Sequence, residues 1–187
     1  MASLETVLES FPNVSPEAIA AFKSKFEPIT FQKGDLLEKE GQVSNYLYFI
    51  EEGAARSYYI RDKRDITISF SLESEFVTSM YSFVTRKPSY EFIECIEKSQ
   101  CHRILHEDLQ TLFLQFPEIE HTYRLILEKY YIALEEQLIF TKFKSAKDRY
   151  LELIENRPKI IQKASVGQIA SYLDMSIETL SRVRSKI

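Results

Sequence analysis

Cysteine, glycine, proline and histidine are scarce in this 187-residue chain, and tryptophan is absent. Two cysteines cannot build a disulfide framework, a four-thiolate zinc site or a four-thiolate iron–sulfur cluster. With 4 Gly and 6 Pro against 44% hydrophobic and 28% charged residues, collagen-like, low-complexity and disordered chains are excluded. A metal enzyme on a β-barrel needs about three His and a carboxylate converging, yet no His precedes His102. No apolar run approaches the roughly 18 residues of a membrane span, and the opening MASLETVLES has no basic, apolar-cored leader. A cytoplasmic protein without a membrane partner is expected. No nucleophile–base pair and no Gly-rich phosphate loop is apparent, so neither catalytic residues nor a metal site are assigned.

What is present is unevenly charged. Residues 142–187 carry ten Lys or Arg against five acids, whereas residues 1–141 carry fourteen against twenty-three. Such a split points to a polyanion-binding tail. Ser15-Pro16-Glu17 opens a helix with Ala18, Phe22 and Phe26 at four-residue spacing. From Ile29 to about Leu105 the period becomes two. Tyr46–Ile50, Ser57–Ile60, Ile66–Phe70 and Glu91–Ile96 read as short strands, with Gly34, Gly41 and Gly53 at turns and a charged hairpin tip at Asp62–Asp65. Many short strands at this spacing predict an antiparallel sandwich or roll.

Helical spacing returns after His106, with Leu109, Leu112 and Phe113 on one face before Pro117. Beyond that proline, Phe116, Ile119, Tyr123, Ile126, Tyr130, Ala133, Gln137 and Phe140 form a heptad seam, and Leu127, Tyr131, Leu134 and Leu138 a second stripe. One apolar stripe is enough to pack a helix on its own domain, so two predict a partner. The heptad seam, centred on Tyr123, Ile126, Tyr130, Ala133 and Gln137, is expected to be a dimer interface. A domain boundary falls near residues 141–145, where Ser145 opens a helix that Arg157-Pro158 closes.

Ser165-Val-Gly-Gln168 is a capping box for a helix presenting Val166, Ile169, Ala170 and Leu173 inward. A turn at Asp174-Met175-Ser176 leads to a second helix with Leu180, Val183 and Ile187 on one face. Small Ala170 suits the close crossing of a helix-turn-helix. Glu178, Thr179, Ser181, Arg182, Arg184, Ser185 and Lys186 lie on or flank the opposite face. Arg donates two bonds to a guanine edge, a carboxylate accepts from cytosine, and hydroxyls and Lys hold phosphates. These seven residues are the expected contacts to double-stranded DNA.

Gln168-Ile-Ala-Ser-Tyr-Leu-Asp-Met-Ser-Ile-Glu-Thr-Leu-Ser-Arg182 resembles the helix-turn-helix of the Crp/Fnr bacterial transcription regulators. Gly34-Asp-Leu-Leu, Gly41 and Tyr48-Phe-Ile-Glu-Glu-Gly53-Ala-Ala-Arg56 resemble that family's cyclic-nucleotide-binding roll. The resemblance covers nearly the whole chain. It implies an α+β protein with an antiparallel, jelly-roll-like sensor roll and N-terminal helices (1–116), a dimerisation helix (117–143) and a helix-turn-helix domain (144–187). It also implies a homodimer on a palindromic operator, RNA polymerase as a partner, and a small-molecule effector. The chain leaves little length after the second helix for a downstream wing.

Cyclic-nucleotide-binding members carry a Gly-Glu pair for the ribose and an Arg followed by a small residue for the phosphate. The matching positions here are Thr78-Ser79 and Ser89-Tyr90, without the carboxylate or the guanidinium. These four residues mark the expected effector pocket, and cyclic AMP is not an expected ligand, since a buried phosphate without a cationic partner is costly. No other cofactor is assigned. Arg86 and Lys87 read as solvated loop charges, Cys95 and Cys101 as small hydrophobes on adjoining strands, and His102, His106 and His121 as hydrogen-bonded or surface side chains. The competing reading is a cyclic-nucleotide-binding-like adaptor whose terminal helices bind protein.

Overall fold

The computed structural model describes residues 4–9 and 14–186. Two helices come first, α1 (Leu4–Glu9) and α2 (Pro16–Lys25). The Ser15 hydroxyl accepts the Ala18 N–H at 3.2 Å and Pro16 occupies the first helical turn, as the local sequence predicts.

Eight strands follow: β1 (Glu27–Phe31), β2 (Leu36–Glu38), β3 (Tyr46–Glu52), β4 (Ala54–Arg61), β5 (Arg64–Leu72), β6 (Phe76–Val77), β7 (Phe92–Cys95) and β8 (Ser99–Leu105), with helix α3 (Met80–Thr85) between β6 and β7. They pair antiparallel into two four-stranded sheets, ordered β1-β8-β3-β6 and β2-β7-β4-β5. This is the expected α+β roll.

Strand β3 shows why the first sheet is so apolar. Tyr48 and Ile50 point into the roll with Leu37, Ala55, Val77 and Ile93. Leu47 and Phe49 point outward, under Phe22, Leu109, Leu112 and Ile119 of the covering helices. A strand buried on both faces reads as a continuous apolar run. Cys95 and Cys101 pack in the roll interior, but on β7 and β8 of facing sheets rather than on adjoining strands of one sheet. Burial pushes their thiols up, to about 11 and about 12, which keeps them as inert thiols at neutral pH.

The charged hairpin tip is a two-residue turn with Asp62 and Lys63 both at positive φ. Gly53, between β3 and β4, has φ +103°, and a Cβ there would lie 2.7 Å from the Ser99 Cα. Glycine is required at that position for space as well as for conformation.

Helix α4 (His106–Gln115) leads to α5 (Pro117–Phe143), which Pro117 opens. Four more helices complete the described chain: α6 (Ala146–Asn156), α7 (Pro158–Lys163), α8 (Val166–Tyr172) and α9 (Ile177–Arg184). Pro158 ends α6 as expected, and it also starts α7, a short helix the spacing does not announce. Among the described residues no helix is long and apolar enough to cross a membrane.

Candidate nucleic-acid interface

The capping box at Ser165 forms in both directions: its hydroxyl accepts the Gln168 N–H, and the Gln168 side chain accepts the Ser165 N–H. Helix α8 stops because Asp174 takes a left-handed conformation, φ +49°. The Met175 N–H then reaches the Ala170 carbonyl and the Asp174 N–H the Ser171 carbonyl, both at 3.0 Å. That is the six-to-one and five-to-two pattern of a Schellman stop, here with Asp in the place glycine usually takes. Ser176 caps α9 by accepting the Thr179 N–H.

Ile169, Ala170, Leu173 and Leu180 are buried at the α8–α9 contact, with Met175 and Val183 packed against them. Val166, expected inside, is exposed at the first position of α8. Ile187 lies outside the described residues.

With Leu180 buried, Glu178, Ser181, Arg182, Ser185 and Lys186 stand in solvent on one side, and Thr179 is half-buried beside them. The Arg182 guanidinium donates to the Thr179 hydroxyl at 3.2 Å, and the Ser185 hydroxyl donates to the Arg182 carbonyl. A backbone N–H bond at the helix start, then the Ser176 hydroxyl, hold the Glu178 carboxyl below its ordinary pKa, so it stays an acceptor. Arg184 departs from this set. It is half-buried with its guanidinium over the Tyr150 ring at 5.4 Å, which turns it toward α6 rather than the free face.

This hairpin is docked on the roll. Phe70 and Leu72 of β5 share a core with Tyr150, Leu153, Ile160 and Ala170, and Tyr172 meets Phe70 edge-on. The Ser171 hydroxyl accepts the Thr67 N–H at 2.9 Å. Arg157 donates to both oxygens of Glu75 at 2.7 and 2.9 Å, and Lys163 pairs with Glu73 and Glu97.

The expected effector residues are not a vacant pocket. Ser79 and Ser89 are buried and bond each other at 3.0 Å, and Thr78 donates to the Tyr46 carbonyl. Tyr90 instead stands outside, stacked between Tyr59 and Tyr81. Arg86 is not a solvated charge: its guanidinium donates to the carbonyls of Ser44 and Phe83 and to the Asn45 side chain. It closes the end of α3 from a left-handed backbone. The ionisable neighbours are acidic: Glu91 bonds the Ser79 hydroxyl and Glu38 the Ser44 hydroxyl, both carboxyls raised chiefly by burial.

A cavity of about 540 Å³ does exist, between the roll and α5. Thr78 lines it together with Ser57, Phe70, Ser71, Ile126 and Tyr130, whereas Ser79, Ser89 and Tyr90 do not.

The same helix corrects the dimer assignment. Tyr123 packs on Phe113, the Tyr130 hydroxyl bonds both the N–H and the carbonyl of Phe76, and Gln137 donates to the Ile68 carbonyl at 2.8 Å. Ile126 and Ala133 line the cavity, as do Leu127, Tyr131 and Leu134 of the second stripe, so the hydrogen bonds of Tyr130 and Gln137 are what distinguish the two. The heptad seam thus faces the chain's own roll. The stripe left in solvent is the second one, with Tyr131 62%, Leu134 60% and Leu138 56% exposed, joined by Ile132 and Ile139. Periodicity finds two stripes but not which one meets the roll. Backbone groups on β5 and β6 select the stripe whose Tyr and Gln tips can reach them.

Sequence patterning also misses Arg56, which is buried in β4. Its guanidinium is held by Asp65, Glu94 and Thr67. Burial opposes its charge, but those bonds outweigh it and its pKa is raised. A positive residue between Ala54-Ala55 and Tyr58-Tyr59 within a strand was the available signal.

The histidines are ordinary: His102 bonds Glu51 at 3.0 Å, His106 packs edge-on against Phe83, and His121 accompanies Arg124.

A two-sheet roll leading through a long helix to a capped helical hairpin defines a class, that of proteins built on the cyclic nucleotide-binding domain. Residues 28–116 match the cyclic nucleotide-binding domain family model. The chain is 25% identical over 81% of its length to the fumarate and nitrate reduction regulatory protein of Vibrio cholerae, and 23% identical over the same share to the anaerobic regulatory protein of Haemophilus influenzae. It spans 65% and 63% of the length of these two relatives. Its fold is shared with FixK2 from Bradyrhizobium japonicum (TM-score 0.74, 18% identity, 86% of this chain and 83% of that one). It is shared also with the Thermus thermophilus catabolite activator protein (TM-score 0.60, 19% identity, 96% and 85%). The chain thus carries a cyclic nucleotide-binding domain over residues 28–116 and is similar over most of its length to these regulatory proteins.

Proposed function

We propose that this protein is a DNA-binding transcription regulator of the Crp/Fnr type, acting as a homodimer. The observation that carries the reading is α9: Leu180 and Val183 pack into the hairpin core, while Glu178, Ser181, Arg182, Ser185 and Lys186 are exposed together on the other side. That surface matches the edge chemistry of the major groove. Arg182 reads guanine, Glu178 reads cytosine, Thr179 and Ser181 touch base edge or phosphate, and Ser185 and Lys186 hold the backbone. Arg184, bent under Tyr150, positions the hairpin and contacts phosphate only if it swings out.

Residues 1–116 act as sensor, 117–143 as dimerisation helix and 144–187 as DNA-binding domain. The exposed α5 stripe pairs two copies, which sets the two reading helices about 34 Å apart and makes the operator roughly palindromic. RNA polymerase is the downstream partner. The effector is a small molecule other than cyclic AMP; the α5–roll cavity is the place for it. The relatives are regulators rather than enzymes, and no catalytic role is assigned to this chain.

Selection of bound fragments from random double-stranded DNA should yield an inverted repeat, with affinity falling steeply as salt rises. On that site Arg182→Ala should cost about 1–3 kcal/mol and little on random DNA. An equal loss on both would move Arg182 to phosphate, and salt-independent binding would remove the DNA assignment.

A further inference from the structure

The cavity between the roll and α5 has a row of hydroxyls on one wall and hydrocarbon on the others. Ser57 of β4 stands directly opposite Ser69 of β5, and Ser71 follows two positions on, so all three hydroxyls share one face of the sheet. All three residues line the cavity of about 540 Å³. None of their hydroxyls has a hydrogen-bond partner among the described residues. The other polar groups of the lining are already engaged. Thr78 donates to the Tyr46 carbonyl and Thr122 to the Glu118 carbonyl, while Tyr130 and Gln137 bond the backbone of Phe76 and Ile68. The Tyr123 hydroxyl reaches the Met80 sulfur and the Tyr131 hydroxyl the Glu135 carboxylate. Glu75 and Arg157 are the only charged residues of the lining among the described residues, and two bonds tie them to each other. Val77, Leu109, Ile119, Ile126 and Leu127 supply the hydrocarbon.

A hydroxyl both donates and accepts, so this row suits an oxygen of either kind, hydroxyl or carbonyl. An ionised head would leave water and find no free counter-charge, because the Glu75–Arg157 pair is closed. A body without any polar atom would leave the three hydroxyls unmet. The volume is that of a small-molecule site. We propose that this cavity binds an uncharged, largely apolar molecule with a hydroxyl or carbonyl oxygen at one end. Its oxygen sits on Ser57, Ser69 and Ser71, and its hydrocarbon lies along α5. The inference rests on the reading of the α5–roll cavity as the effector's place and adds the chemical class of the effector. Tyr131 and Leu134, on the open side of the cavity, belong to the stripe that pairs two copies, so the second copy covers the ligand.

The test is calorimetric titration of the full chain at pH 7.5 with 1-decanol, decanoate and decylammonium, which share one tail and differ in the charge of the head. 1-Decanol should bind saturably and about tenfold or more tightly than either ion. Ser57→Ala combined with Ser69→Ala removes two oxygens and no charge, and should weaken 1-decanol about tenfold. If that variant does not fold, Ser69→Ala alone, at a half-buried position, should weaken it about threefold. Decanoate or decylammonium binding as tightly as 1-decanol would keep the cavity as a ligand site and overturn the class proposed for it. No saturable binding of any of the three, or 1-decanol binding indifferent to the serines, would overturn the site itself. The regulator reading is judged apart from both, by whether DNA selection recovers an inverted repeat.

Discussion

Glu38→Gln should convert a pH-dependent protein into a flatter one. Burial lifts the Glu38 carboxyl from an ordinary 4.5 to about 7, with Glu91 adding to the rise and the Ser44 hydroxyl and Arg86 opposing it. The unfolded chain gives up this proton near 4.5 and the folded chain near 7. Folded protein therefore binds more protons between those values, and stability falls as pH rises across that window. At about 1.4 kcal/mol per pKa unit, the full effect is about 3 kcal/mol. It is present below pH 4.5 and gone above pH 7. Glutamine keeps the shape without the charge, so the variant should match the wild type near pH 5 and exceed it near pH 8. Urea unfolding of both proteins at half-unit steps from pH 5 to pH 8 measures the difference directly. Glu91 shifts in the same direction in both proteins and largely cancels. Parallel stability curves would show that Glu38 is not desolvated in the folded protein.

Leu134→Glu, on the exposed stripe of α5, should yield a monomer by light scattering with little change in the monomer's helical signal. Ile126→Glu should instead destabilise the roll, by about 2 kcal/mol or more, because it forces a charge against the cavity wall; a dimer that survives Leu134→Glu would return the interface to the heptad seam. Arg157→Gln should loosen the hairpin's docking. Its pair with Glu75 is about a third exposed, so the stability loss is about 1 kcal/mol, and amide exchange should quicken in 67–72 and 166–173 but not in β3. Unchanged exchange there would make the pair incidental. Gly53→Ala should cost about 3 kcal/mol or more, since positive φ and the Ser99 backbone both oppose a Cβ; a neutral melting temperature would mean that the β3–β4 turn differs from the one described.

Local chemistry carried much of the architecture. The caps at Ser15, Ser145 and Ser165 form as their spacing predicts, since a hydroxyl three residues before a free N–H needs no distant partner. Pro117 opens α5, and the polar face of α9 is exposed because Leu180 is not. Other features were invisible along the chain because they depend on what arrives from elsewhere. The 2-residue β6 and the 6-residue α7 are too short to show a period. Arg86 looked like a loop charge until the Ser44 and Phe83 carbonyls stood within its reach.

What the amino-acid order determined by itself is therefore the longer elements, their amphipathic faces and the helix-turn-helix. Each follows from hydrogen bonds and side-chain spacing within a few residues. The fold alone decided which α5 stripe meets the roll, that the hairpin docks on β5, and that Arg86 turns inward to backbone carbonyls. Those outcomes turn on contacts between residues dozens of positions apart, such as Gln137 with Ile68 and Arg157 with Glu75. Periodicity along one segment carries no information about its partner.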